Sequence, residues 1–329
     1  MQIEFGDIDH IKNPGQLTIA TVVDNAYHNW LPLWFLAIAR AYPDYQPIAF
    51  TTDELTSWMR YRLFDLAEKL QGDGYLTSLA VIRPFEIKRA LSPIEVSALR
   101  YLLFTPALCE KLFRTPYTYI TSVDTLIMPE SPPLCEQHIS HMAVTGLPYS
   151  NVTVDSTGLL GPHLFARRDY IKTVAPIVEK HYTQFMAQEP DRLSHNLDLE
   201  LLTTITESAG IDIPSSIATS KEWRISSPAT EHDQPPFSPQ HGIHVGDAKY
   251  PEILKQHSEM PHQQFAYLHL LQLASEEPFW IAAEGLLPRS MGLLLRTITA
   301  YSKTIIRAAK EDWSGARNLI KHRHPLFRE

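Results

Sequence analysis

Residues 17–51 read LTIATVV-DNAYHNW-LPLWFLAIARA-YPDYQ-PIAFT, and they set the architecture. Leu17 to Val23 is a short β-branched run of the kind buried in a sheet, and it stops at Asp24-Asn25. The segment from Trp30 to Tyr42 is apolar at Leu31, Trp34, Leu36, Ile38 and Ala41, which predicts a helix ended by Pro43-Asp44. Pro47 to Thr51 predicts a second strand. A strand, a helix and a strand in this order open a mostly parallel α/β sheet.

Further along, residues 54–71 are expected to form a helix closed by Gly72-Asp73-Gly74. Ser92-Pro93-Ile94-Glu95 has the pattern of a helix start, with Ser92 as cap and Glu95 three residues on. That helix is expected to continue through Leu99, Tyr101, Leu102 and Leu103. Tyr117 to Met128 (YTYITSVDTLIM) reads as one strand interrupted by a single acid, Asp124. Residues 142–169 read as short strands around glycines. Tyr170 to Met186 and LDLELLTTITESAG read as helices. Ser226 to Gln240 is a long polar loop, and long loops in compact domains are often functional. From about Pro261 the pattern is helical, with Leu294, Ile298, Tyr301, Ile305 and Ala308 on one face. The fold class expected is therefore α/β, a mostly parallel central sheet flanked by helices with a helical C-terminal extension. The division expected is residues 1–255 for the ligand-binding domain and 256–329 for the helical region.

Composition excludes several classes. The chain has 329 residues, 44% hydrophobic and 20% charged, which is an ordinary globular balance. Its formal net charge of −8 argues against a protein that coats nucleic acid. Two cysteines, Cys109 and Cys135, make no disulfide framework and fit a reducing, cytoplasmic setting. The first residues lack the pattern of a signal peptide, and no run approaches the ~20 apolar residues of a membrane span. The basic tail from Arg317 to Arg328 carries Leu319, Ile320, Leu326 and Phe327, so it reads either as a peripheral contact with the inner membrane face or as an ordinary basic terminus.

Several residues are candidates for chemistry, and each has a plainer alternative. Asp124, at the end of an apolar strand, is a reasonable Mg²⁺ or Mn²⁺ ligand for a diphosphate; alternatively it caps a turn. His241 and His244 with Gly246 and Lys249 could complete a metal site, admit a phosphate and neutralise it; alternatively they are a surface loop. Asp24 stands where an open sheet reads a base or ribose, or it caps a helix. Arg100 could reach phosphate or ribose, or be a solvated arginine.

In order, these motifs resemble the retaining family-eight glycosyltransferases of the GT-A (Rossmann-like) fold, the glycogenin and bacterial galactosyltransferase type. TIATVVDNAYHNWLPLWFLAIARAYPDY is similar to that family's first β-α unit, with the turn Asp24, Asn25, Tyr27 that reads uridine. SALRYLLF and YTYITSVDTLIMPE resemble its arginine-bearing helix and its metal-motif strand, here Ser122-Val123-Asp124. TGLLGPHLFARRDYIK is similar to the segment with the acceptor-side glycine. LDLELL resembles its acid-bearing helix start, and HVGDAKY its C-terminal His-Gly-Lys motif.

The resemblance implies a transferase moving a hexose from a UDP-sugar to a glycan, lipid or other acceptor with Mn²⁺ or Mg²⁺. Asp124 and His244 would hold the metal. Asp24, Asn25 and Tyr27 would contact the nucleoside, and Arg100 the ribose–phosphate side. Ser122 and Val123 would line the donor, with Gly246 and Lys249 at the diphosphate. Asp198 and Glu200 would face the transferred sugar; alternatively they are helix-start acids favoured by the dipole. The Ser226–Gln240 loop and the C-terminal region would shape the acceptor site. Three departures stand out: Ser122 replaces a carboxylate, Leu199 replaces a glutamine, and the His-to-Gly spacing is one residue short. They keep open a non-catalytic or metal-independent sugar-nucleotide binder. A nucleotidyltransferase would require a glycine-rich, basic loop after the first strand, where this chain has DNAYHNW.

Overall fold

Strand β2 (Leu17–Val23) occupies the middle of a seven-stranded sheet in the computed structural model of the chain. The structure describes residues 1–6, 15–75, 79–85, 87, 89–129, 133–151, 153–154, 159–160, 163–187, 196–213, 237–238, 242–244, 273–274, 276–283 and 286. The sheet order is β1 (Gln2–Phe5), β4 (Ala80–Arg83), β3 (Gln46–Thr51), β2, β5 (Tyr117–Ile120), β10 (Leu164–Arg167), β7 (Tyr149–Ser150). Strands β4, β3, β2 and β5 run parallel, while β1 pairs antiparallel at one edge and β10 antiparallel with β5 and β7 at the other. The sheet is therefore mixed and mostly parallel, as the β-α-β opening requires. Its central strands are apolar on both faces because helices cover both.

One face is covered by α1 (Leu31–Ala41), α2 (Ser57–Gly72), α5 (Leu134–Thr145) and α8 (Glu277–Ala282). The other is covered by α3 (Pro93–Leu99), α4 (Pro106–Lys111), α6 (Arg168–Ala187) and α7 (Leu197–Ser208). Strand β3 shows the period of two directly: Ala49 faces the first layer, Ile48 and Phe50 the second. In α1, every residue from Leu31 to Ala39 is buried, so this helix is apolar all round. Helix α8 packs on α1 and α2, where buried Arg62 donates to the carbonyls of Ile281 (3.2 Å) and Ala282 (2.9 Å).

Local chemistry explains where the elements depart from expectation. Helix α2 starts at Ser57 rather than Glu54, because Thr56 is extended and its hydroxyl caps Met59 N at 3.1 Å. Helix α3 has the expected capping box, with Ser92 N donating to Glu95 Oε2 at 2.8 Å. It ends at Leu99 and does not run through Leu103. The chain tightens into i→i+3 turns, Tyr101 N to Ala98 O (3.1 Å) and Leu102 N to Leu99 O (3.0 Å), ahead of Pro106. The predicted strand Tyr117–Met128 is two strands. After β5 the chain turns at Ser122–Thr125, with Thr125 N donating to Ser122 O at 3.2 Å, and β6 (Thr125–Ile127) joins a second sheet, order β11 (Phe237–Ser238), β12 (Gly242–His244), β6. Residues 134–145 form α5, closed by Gly146 in the left-handed region (φ 71°), so the start of the stretch read as strands is helical. A short hairpin, β8 (Thr153–Val154) with β9 (Leu159–Leu160), completes the strands.

No helix among the described residues is long and apolar enough to cross a membrane. Most of the Ser226–Gln240 loop, the helical pattern from Leu294 to Ala308 and the Arg317–Arg328 tail lie outside the described residues.

Candidate active site

Two parallel neighbours, β2 and β5, run side by side, and β5 stops opposite Ala20, three residues before β2 ends at Val23. Thr121 N donates to Ala20 O at 3.0 Å just past the end of β5. From β2 the sheet proceeds to β3 and β4 on one side and to β5 on the other. This is a topological switch point, and open α/β sheets bind ligands in the crevice outside the carboxyl ends of their strands there. Asp24 follows β2 and Asp124 follows β5, so both lie at that end of the sheet.

On the β2 side, the chain turns tightly. Tyr27 N donates to Asp24 O (3.1 Å) and to Asp24 Oδ1 (3.2 Å), then His28–Trp30 makes one 3-10 turn into α1. Asp24 therefore caps this turn and also stands at the crevice. Asn25 and Tyr27 are exposed. Asn25 N donates at 3.1 Å to Asp53 Oδ2, from the loop after β3. Asp53 was not among the expected site residues.

On the β5 side, Ser122 Oγ donates to Asp124 Oδ1. Asp124 is buried, at 6% exposure, and Val123 packs into the first helical layer. Strand β12 pairs antiparallel with β6 in the register Gly242↔Ile127, Ile243↔Leu126, His244↔Thr125. That register sets His244 beside the residue that follows Asp124. Gly246 and Lys249 lie outside the described residues, as does His241. Among the described residues no group of three metal-ligating side chains occurs.

The third part comes from α3 and α7. Asp198, in the first turn of α7, is 7% exposed. Its Oδ1 accepts from Leu199 N at 3.0 Å, and its Oδ2 accepts from Ser97 Oγ at 2.7 Å. Arg100, the C-cap of α3, brings Nη2 to 3.8 Å from Asp198 Oδ2. It also donates from Nε to Ser97 O at 2.7 Å and from Nη2 to Ser97 Oγ. Two residues chosen separately from the sequence, Arg100 and Asp198, are thus one cluster, organised by Ser97. Glu200, two residues on, is half-buried, and Glu200 N donates to Asn196 O at 2.9 Å. Tyr101, beneath the cluster, is fully buried, and that burial pushes its phenol well above the usual range, so it stays neutral.

Several solved structures that this chain resembles are glycosyltransferases. The glycosyltransferase GlyE of Streptococcus pneumoniae TIGR4 matches at 10% identity over 59% of this chain and 43% of its own, with a TM-score of 0.39. The galactosyltransferase LgtC, solved with donor and acceptor sugar analogues, matches at 13% over 83% of this chain and 98% of its own, with a TM-score of 0.43. WbbM, a bifunctional glycosyltransferase, matches at 8% over 51% of this chain and 35% of its own, with a TM-score of 0.33. The chain spans less than half the length of GlyE. No family model matches it, and no curated protein matches its sequence.

Two signals were legible only in three dimensions. Ser97 and Asp53 are ordinary polar residues in their local sequence. Each gains its partner from a distant segment, Ser97 from Asp198 and Asp53 from the backbone of Asn25.

Proposed function

We propose that the chain is a GT-A glycosyltransferase that moves a hexose from a UDP-sugar to a glycan, lipid or other acceptor, with retention at the anomeric carbon. The observation that carries this reading is the buried Asp198 carboxylate, held by Ser97 Oγ at 2.7 Å with Arg100 beside it. A carboxylate is costly to bury and is kept where its charge is used. The motifs that resemble the family-eight enzymes precede and follow it in the family's order along the sequence.

In this reading Asp24, Asn25 and Tyr27 receive the nucleoside, Ser122 and Val123 flank the donor, and Arg100 meets the ribose–phosphate side. Asp198, with Glu200 as second, faces the sugar and stabilises the positive charge that grows at the anomeric carbon as its bond to the diphosphate breaks and a bond to the acceptor oxygen forms, the acceptor's hydroxyl proton passing to the leaving diphosphate. Lys249 takes up charge on the leaving diphosphate, with Gly246 allowing close backbone approach. A buried carboxylate followed by a strand that aligns with His244 is a donor set that suits Mn²⁺ or Mg²⁺, which use one or two protein ligands plus phosphate oxygens. Asp124 and His244 would hold that ion, which supplies further charge neutralisation when bound. Residues 1–255 form the catalytic domain, and 256–329 a helical region for acceptor, partner or membrane contact.

A second reading, a sugar-nucleotide binder that works without metal, is favoured by one feature. Ser122 stands where the motif would have its first acid.

The test is a thermal-shift and hydrolysis screen of the full chain with UDP-, GDP-, dTDP- and CMP-sugars, with Mn²⁺, Mg²⁺ or chelator. A UDP-sugar that stabilises and is hydrolysed supports the enzyme, and silence across the panel sinks it. Asp124→Asn should abolish the metal-dependent part of the shift. A retained metal shift removes Asp124 from the site.

A further inference from the structure

The loop after β3 is tied to the nucleoside-side turn by a network of described residues. Thr51 Oγ1 has one proton, and it donates to Asp53 O at 2.8 Å. The same oxygen accepts from Asp53 N at 3.1 Å, so its 2.7 Å contact with His28 Nε2 requires that nitrogen to carry the hydrogen. His28 is buried, and burial lowers its pKa, which keeps the imidazole neutral in this tautomer. Asp53 Oδ2 accepts from Asn25 N (3.1 Å) and from Thr52 Oγ1 (2.7 Å), and Thr52 N donates to Val23 O at 3.0 Å. Two hydrogen bonds thus hold one oxygen of the Asp53 carboxylate. None of the described residues hydrogen-bonds the other, Oδ1, and the side chain is exposed.

The position of this acid has chemical meaning. Strand β3 is the parallel neighbour of β2 on the side away from β5. A nucleoside read by the turn after β2 has its ribose within reach of the end of the adjacent strand. A carboxylate placed there accepts from ribose hydroxyls in doubly wound nucleotide-binding sheets. We propose that Asp53 Oδ1 binds a ribose hydroxyl of the donor nucleotide, and that His28 is a positioning residue that sets Asp53 through Thr51. This rests on the donor-site reading above and adds a specificity element to it: selection of a ribonucleotide over its deoxy form.

The experiment is calorimetric titration of the full chain with UDP and GDP, each beside its 2′-deoxy and 3′-deoxy forms, in the presence of Mn²⁺. The wild type should bind one ribonucleotide ~10-fold or more tighter than one of its deoxy forms, the scale of a charge-assisted hydrogen bond. Asp53→Asn, which is isosteric, should weaken the ribonucleotide and leave the discriminated deoxy form nearly unchanged. His28→Leu should lose the same discrimination, and His28→Gln, which restores a donor near Nε2, should recover it. If Asp53→Asn weakens both forms equally, or neither, the assignment of Asp53 is wrong. If His28→Leu keeps the discrimination, or His28→Gln fails to restore it, the positioning role is wrong. If no nucleoside diphosphate binds the wild type, the donor reading itself falls, an outcome seen before any variant is made.

Discussion

Helices α1 and α7 face opposite sides of the same sheet and pay for their burial differently. Helix α1 buries nine consecutive residues, none of them charged, and needs nothing from its neighbours but shape. Helix α7 opens with Asp198 and Glu200 and buries the first of them only because Ser97 and Arg100 come from α3 to meet it. The contrast teaches that apolar burial is satisfied by any well-packed surface, whereas a buried carboxylate requires particular partners in particular places. The fold is carried by the first kind of helix, and the candidate chemistry by the second.

Replacing a core residue of α1 is the harshest way to test this division. Phe35→Ala should cost about 3–5 kcal/mol of stability by cavity formation. The fraction still folded should bind nucleotide as the wild type does, measured by denaturant titration beside calorimetry. Asp198→Asn should show the converse: turnover lower by ~10²–10³-fold, the scale of losing one transition-state electrostatic contact. Its melting temperature should fall less than that of Phe35→Ala. A variant that melts early but turns over normally would return Asp198 to a structural role. Arg62 is a buried charge in the apolar layer, and it serves the fold. Arg62→Met should release the α8 carbonyls, cost about 1–3 kcal/mol, and leave nucleotide affinity unchanged. A matched loss of affinity would show that the two layers are not independent.

The smallest expected effect is in the pH dependence. Burial lowers the pKa of His28 and of His141, whose Nδ1 lies 2.8 Å from Ser150 Oγ. Below the unfolded value of about 6.5 the unfolded chain binds more protons than the folded one, so stability falls as pH drops through that window and is flat above it. Melting temperatures between pH 7.5 and 5.5 should therefore decline, and His141→Asn should make the slope shallower. An unchanged slope would mean that His141 is not a source of it.

Much of the frame was legible from residue order. The units β2-α1-β3, the Ser92 cap, α6 and α7 are local patterns of periodicity and capping, and such patterns survive folding. Helix α5 was hidden because Glu136, Gln137, His138, Ser140 and His141 break its apolar period. Two of these, His138 and His141, are in fact buried, each with Nδ1 at 2.8 Å from Ser150 Oγ. The turn after β5 was hidden for the opposite reason: the run around it is apolar enough to look continuous, and the break is marked by the Thr125 N to Ser122 O turn and the Ser122–Asp124 bond. In the site, Asp24, Asp124 and Asp198 were visible as charges set near strand ends or a helix start, and Arg100 as a charge in a predicted helix. Ser97, Asp53 and His28 were not, because their roles are defined by partners far away in the chain.

The register of β6 with β12 has a consequence in time. Thr125 and His244 meet by closing a loop that includes most of the second helical layer, and closure entropy delays contacts of such long range. The crevice end of the central sheet can form from the first 125 residues or so, while its far wall waits for a segment made much later. A chain leaving the ribosome would thus carry the side of its crevice proposed for the nucleoside before the side proposed for the diphosphate.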